Sequence, residues 1–280
     1  MTQTTSPEIG QYIQAGDIRT NYHDLGEPRG KPPVCFIHGS GPGVTSFANW
    51  RLVFPEVAKH YRVLGPDMVG FGYTERPQGI EYSLDVWVKH FLDFLDALNI
   101  EKTHLVGNSF GGGLAVALAI RAPERFERIV LMGAAATRFE LTDGLDFTWG
   151  YTPSLENMKK MLDLFAYDRS LVNDELAQLR YEASIRPGIQ EAYASMFPAP
   201  RQAGVDGLAS DEADIRNIAH ETLIIHGRED RIIPLSASLK LSELLLNSQL
   251  HVFGKCGHWT QIEQNQRFIK LILDFFNEAE

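Results

Sequence analysis

The chain has 280 residues, 44% hydrophobic and 22% charged, ordinary globular usage that excludes a disordered or fibrous protein. Its 26 Lys and Arg against 36 Asp and Glu leave a formal charge of −10, a field that repels nucleic acid and anionic membrane and excludes both as partners. Two cysteines, Cys35 and Cys256, are too few for a disulfide framework or a cysteine-rich zinc site.

No apolar signal core precedes Arg19, the first basic residue. The longest uncharged stretch, over residues 103–120, is broken by Asn108, Ser109 and four glycines, too polar for a bilayer. A cytoplasmic location is therefore expected. Residues 11–13 and 18–23 flank Ala15-Gly16-Asp17 as an antiparallel hairpin at a sheet edge. Buried strands are expected at 34–37, 62–64, 103–106, 128–132, 222–225 and 249–253, each short, apolar and stopped by Gly, Pro or Asp. Ser83 is placed to cap a helix with Val86, Phe91, Leu95 and Leu98 inward. A helix over 110–121 stops before Pro123.

Strand signals cease between about residues 135 and 218. Leu155, Met158, Leu162 and Phe165, then Leu176, Leu179 and Ala183, recur at helical spacing, punctuated by prolines at 153, 187, 198 and 200. A last helix carries Phe268, Leu271, Ile272 and Phe275 on one stripe. The pattern implies an α/β fold with a mostly parallel central sheet flanked by helices. Its core domain would span 1–135 and 218–280, and an inserted helical cap 136–217.

The strongest chemical signal is Leu105-Val106-Gly107-Asn108-Ser109-Phe110-Gly111-Gly112-Gly113, a strand running through G-x-S-x-G into an Ala/Leu-rich helix, as a nucleophile elbow requires. Small residues at 107 and 111 let strand and helix backbones approach, and the turn lifts the Ser109 hydroxyl to the helix N-terminus. Serine needs a base to take its proton, and in this arrangement the acid and the histidine follow the serine in chain order. Asp230, in Gly227-Arg228-Glu229-Asp230, and His258, in Gly257-His258-Trp259, follow the ends of two later strands. Glu229 is a rival acid beside Asp230, and Asp67 precedes Ser109 and fits the order badly. His38, His226 and His251 are expected to be structural. The turn His38-Gly39-Ser40-Gly41-Pro42-Gly43 follows an early strand and can supply the oxyanion hole, with the Ser40 and Phe110 amides as donors, each worth about 3 kcal/mol in the transition state. No G-K-[ST] follows it, so it is no phosphate loop.

Together, His38-Gly39-Ser40-Gly41-Pro42-Gly43, Gly107-Asn108-Ser109-Phe110-Gly111-Gly112 and Gly257-His258-Trp259 resemble the meta-cleavage product hydrolases, carbon–carbon bond hydrolases of the α/β-hydrolase superfamily. The resemblance extends to Asp67-Met68-Val69-Gly70-Phe71-Gly72 and Trp149-Gly150-Tyr151-Thr152-Pro153-Ser154, and is strongest for the branch acting on monocyclic products, 2-hydroxymuconate semialdehyde hydrolase and its alkyl-ketone relatives. It implies a small dienoate substrate, a Ser109–His258–Asp230 triad, no metal or organic cofactor, and a homo-oligomer. It also implies that Arg180 holds the substrate carboxylate, with Arg186 the local competitor, and that Gly41, Asn49, Asn108, Phe165 and Trp259 contact substrate. Ala135, Leu145, Trp149, Val205 and Ile233 would line the pocket for the C6 substituent. Cleavage by serine attack or through a gem-diol is open to such enzymes, and a carboxylesterase of the same fold is the competing reading. An Asp-nucleophile dehalogenase or epoxide hydrolase is excluded by Ser109.

Overall fold

The computed structural model describes residues 6–277. Eight strands form one sheet: β1 (Gln11–Ala15), β2 (Ile18–Leu25), β3 (Val34–Ile37), β4 (Val63–Pro66), β5 (Thr103–Asn108), β6 (Phe126–Met132), β7 (Thr222–Gly227) and β8 (Ser248–Phe253). Their spatial order is β1-β2-β4-β3-β5-β6-β7-β8. The first hairpin and the β2–β4 pair are antiparallel; every other pair is parallel. Side chains alternate across the sheet with period two. Cys35, Ile37, Leu105, Leu131 and Ile224 therefore join one apolar layer, while Val34, Phe36, Val106, Val130 and Ile225 join the other with the C-terminal helix.

Three expectations about packing change. The 249–253 segment was expected to be buried, but β8 is the sheet's outer edge and most of it is partly exposed, with Val252 at 37%. Its apolar composition reflects one packed face. Ser83 does cap the helix Leu84–Ala97, accepting from the Val86 amide at 3.4 Å. Its buried face, however, is Trp87, Phe91, Phe94 and Leu95, with Val86 and Leu98 at the margin. The C-terminal helix, Asn265–Asn277, buries Phe268, Ile272 and Phe275 as expected, and adds Ile269 and Phe276 while Leu271 stays at the edge.

Between β6 and β7 the chain forms helices and no strand. Three begin with side-chain caps: Thr142 accepts from the Leu145 amide, Ser154 from Asn157 and Asn173 from Leu176. The helix Leu155–Phe165 buries Met158, Met161, Leu162 and Phe165. On the helix Asp174–Ser184 the stripe is different from the expected one: Ala177 and Ala183 are buried, but Leu179 is 54% exposed. Among the described residues no helix is long and apolar enough to cross a membrane.

Candidate active site

The elbow follows from steric exclusion. A Cβ on Gly107 would lie 2.3 Å from the Gly111 carbonyl oxygen, and one on Gly111 would lie 2.5 Å from the Ile37 carbonyl oxygen. Only glycine lets β5 turn back under its helix this closely. Ser109 sits at the apex with φ 56° and ψ −113°, backbone space that non-glycine residues seldom occupy. It is held there by its amide, which donates to Met132 O at 2.8 Å, and by its carbonyl, which accepts from Ala135 N at 3.0 Å. Its side chain faces a cavity of about 410 Å³, a volume suited to a small organic molecule.

His258 lines the same cavity. Its Nδ1 lies 2.7 Å from Asp230 Oδ2, so Nδ1–H donates and Nε2 is left to accept a proton. Asp230 Oδ1 accepts from the Ile232 and Ile233 amides at 2.7 and 3.0 Å. Burial pushes this carboxyl up, but the facing His258, then His226 and the Ile232 amide, outweigh burial and hold it below its ordinary range. The carboxylate is thus kept ionised beside the imidazole. His258 is fixed further by its amide, which donates to Phe165 O at 2.8 Å, and by the Phe165 ring, 5.5 Å away and nearly parallel.

The rivals have other occupations. Glu229 accepts from the Cys256 amide and pairs with Arg228. Asp67 accepts from the Ser46 and Tyr73 amides and from Asn21, deep in the core, where burial pushes its carboxyl up to about 7. His226 donates to or accepts from Ser238 and bonds the Ile233 carbonyl, and burial keeps it below its ordinary pKa. His38 gives Nδ1–H to Gly39 O and accepts from the Met68 amide at Nε2, so it stays neutral, held down at about 4 by burial. His251 packs against Phe253 at the sheet edge, the ring centroids 4.3 Å apart and the planes inclined at 60°. Arg186 lies over the Tyr73 ring and donates to Ala183 O, away from the cavity. Cys256 is fully buried, which pushes its thiol far up and disfavours the thiolate.

Gly41, Asn49, Asn108, Phe165, Arg180, Leu145 and Trp259 reach the cavity wall where they were expected, as does Ser40. Asn49 Oδ1 accepts from the Gly39 amide and from Asn108 Nδ2. Among the described residues this leaves Asn49 Nδ2 and Asn108 Oδ1 buried without a partner, a donor and an acceptor placed for a polar ligand. Phe110 opens the elbow helix, and its ring is buried edge-on against Trp87.

Ala135, Trp149, Val205 and Ile233 stand behind the wall rather than in it. Trp149 stacks on Phe197 at 4.3 Å and donates to Ser40 Oγ. Ile233 gives its carbonyl to His226 while its neighbour Ile232 lines the cavity. Val205 is fully buried, and the Ala135 amide is bonded to Ser109 O. In their place the wall carries Met158, Met161 and Leu162. Two acids were also missed. Glu8 lines the cavity and pairs with Arg180. Glu263 accepts from the Gly257, Tyr167 and Asp168 amides, tying the His258 loop to the helical segment. Neither belongs to a motif.

A family profile described as the alpha/beta hydrolase fold matches residues 32–264. Over 268 residues the chain is 63% identical to the 2-hydroxy-6-oxo-2,4-heptadienoate hydrolase of Pseudomonas putida F1, covering 96% of each chain. It is 62% identical over 275 residues to the 2-hydroxymuconate semialdehyde hydrolase of Pseudomonas sp. strain CF600, covering 98% of this chain and 96% of that one. Its fold matches the meta-cleavage product hydrolase CumD of Pseudomonas fluorescens IP01, solved as a serine-to-alanine variant with acetates, at a TM-score of 0.95 and 62% identity over 98% and 99% of the two chains.

Proposed function

The chain belongs to the meta-cleavage product hydrolases of the alpha/beta hydrolase fold, and from that premise we propose that it cleaves the C5–C6 bond of a monocyclic 2-hydroxy-6-oxohexa-2,4-dienoate carrying hydrogen or a small alkyl group on C6. The observation that carries this reading is one cavity shared by Ser109, His258 and Arg180: a nucleophile, its base and a cation able to take a carboxylate. The helical segment 136–217 acts as the cap over the core. A cytoplasmic homo-oligomer is part of the same reading, checked by light scattering on the purified protein.

In the first step His258 moves the proton of the 2-hydroxyl toward C5, and the dienol becomes a 2,6-dioxo-enoate. Arg180 balances the substrate's negative end, to which Asn49 Nδ2 offers a donor, while Asn108 Oδ1 offers an acceptor for the 2-hydroxyl. The C2 carbonyl is now an electron sink, able to take a pair released at C5 through the C3–C4 double bond. Ser109 gives its proton to His258 and attacks C6, and the new oxyanion lies against the Ser40 and Phe110 amides. The C5–C6 bond breaks with its electron pair running to the C2 oxygen, which takes up a proton. 2-Hydroxypenta-2,4-dienoate leaves, and water activated by His258 hydrolyses the acyl-serine. Asp230 holds the imidazole in the tautomer that both steps need.

The apolar wall of Leu145, Met158, Met161, Leu162 and Ile232 suits a small C6 group. Hydrophobic pockets discriminate by only about 1–3 kcal/mol per methylene, so related substrates overlap. The test follows loss of the dienolate absorbance for substrates bearing hydrogen, methyl or phenyl on C6. Fast bleaching of the first two and slow bleaching of the third is expected. Turnover of simple esters with no bleaching would sink the reading and leave a carboxylesterase.

A further inference from the structure

Arg180 stands on the helix Asp174–Ser184, and its guanidinium bonds a single group among the described residues, the Glu8 carboxylate. The pair is largely shielded, with side chains 14% and 11% exposed. Glu8 is held independently of Arg180. Its other carboxylate oxygen accepts from Thr45 Oγ1 at 3.2 Å, and its carbonyl accepts from Asn21 Nδ2 at 3.1 Å. Two residues on, the Gly10 amide donates to Asn21 Oδ1 at 2.9 Å. Asn21 itself is buried in β2 and donates to Asp67. The acid is therefore a fixed point of the core, while the arginine is a long side chain on the facing helix.

A guanidinium has five N–H donors in a planar fork, and Glu8 takes one of them. Arg51 lines the same cavity from the core side and brings a second positive charge, its own pKa lowered by burial first and then by Arg180. Two arginines and one glutamate leave the pole with one positive charge in excess, the complement of one carboxylate. Since the anchors of Glu8 lie in the core, an incoming carboxylate need not displace it; it adds to the donors Glu8 leaves free.

We propose that Glu8 is a positioning residue for substrate binding: it clamps one edge of the Arg180 guanidinium so that the rest of the fork faces the cavity. The proposal rests on the reading that Arg180 receives the dienoate carboxylate. A partner that orients a binding group acts through it, so its removal should weaken binding only while Arg180 is present.

The experiment measures kcat and KM for 2-hydroxy-6-oxohepta-2,4-dienoate with wild type, Glu8→Gln, Glu8→Asp, Arg180→Ala and the double variant Glu8→Gln/Arg180→Ala. Glu8→Gln keeps the side-chain size and the bond to Thr45, and its melting temperature checks the fold. Glu8→Gln should raise KM about tenfold with kcat within about twofold, and should add nothing in the Arg180→Ala background. Glu8→Asp keeps the charge but loses reach, and should show the same split. An unchanged or lowered KM in Glu8→Gln, with Arg180→Ala still raising KM, would overturn the clamp alone; a lowered KM would make Glu8 a competitor of the substrate. An equal rise of KM in both backgrounds would also overturn it. An Arg180→Ala variant with unchanged KM would remove the carboxylate reading of Arg180 and the clamp with it.

Discussion

The two walls of the cavity are built differently. On the core side, Ser109 follows β5 directly and Asp230 and His258 stand in the turns after β7 and β8, and backbone groups hold each one: Met132 O and Ala135 N for Ser109, the Ile232 and Ile233 amides for Asp230, Phe165 O for His258. On the helical side the wall is Met158, Met161, Leu162, Leu176 and Leu179, side chains that pack without a directional bond. Thioether chains in particular adapt to irregular shapes. The difference separates two tasks. Chemistry needs groups fixed to a fraction of an ångström, and the turns after the strands hold them so; on the proposed reading, choice of the C6 substituent needs only a surface of suitable volume, which the helices would supply. Glu8–Arg180, Glu263, Trp149–Ser40 and the His258 amide on Phe165 O are among the polar ties between the two sides.

Substitutions on the core wall should be far more damaging to turnover than those on the helical wall. Ser109→Ala should lower kcat for dienoate hydrolysis by roughly 10⁴-fold or more, with no loss of melting temperature. Residual cleavage within tenfold of wild type would show that the serine does not do the chemistry. Asp230→Asn should cost about 10³–10⁴-fold in kcat, because the amide can donate to the ring and favour the wrong tautomer. Stopped-flow bleaching separates that loss from a change in binding.

The Asp230 carboxyl also carries a pH signature. Its folded-state pKa is depressed, so its contribution to stability is complete above the unfolded value of about 4 and is lost as pH falls through the folded value. Thermal melts of wild type should therefore fall on acidification below about pH 4, and Asp230→Asn should lack that component.

On the helical wall, Leu162→Ala should leave the chemistry intact and shift the ratio of kcat/KM values between methyl and phenyl substrates by about 1–3 kcal/mol toward the larger one. A parallel drop for both substrates would erase the contrast between the walls. The smallest effect is expected at Cys256: its raised thiol pKa and full burial should leave activity unchanged after iodoacetamide.

The core wall was readable from sequence because its rules are local. Gly107 and Gly111 are demanded by contacts formed within one turn of chain, and Asp230 and His258 declare themselves by following strand ends in order. The helical wall was readable only as helices. Their periodicity placed Met158, Leu162 and Phe165 correctly, yet read Leu179 as packed where it is 54% exposed beside the cavity, since a stripe does not say whether it meets the core or a cavity. Likeness to relatives located Trp149, Val205 and Ile233 near the site but could not give their depth, which depends on stacking with Phe197 and on the turn that presents Ile232 instead. Glu8 and Glu263 were out of reach for another reason: Glu8 meets Arg180 across 172 residues of chain, and Glu263 meets Tyr167 and Asp168 across 96 and 95, with no local pattern to mark either. β8 shows the same limit, because its composition cannot reveal that it is last in the sheet.

The central claim is that the core wall breaks a carbon–carbon bond, and the most direct measurement is to identify the products. Incubation of the purified protein with 2-hydroxy-6-oxohepta-2,4-dienoate, followed by NMR and mass spectrometry, should give acetate and 2-hydroxypenta-2,4-dienoate in equal amounts, and neither with Ser109→Ala. Substrate recovered intact, from a protein that hydrolyses simple esters under the same conditions, would contradict it.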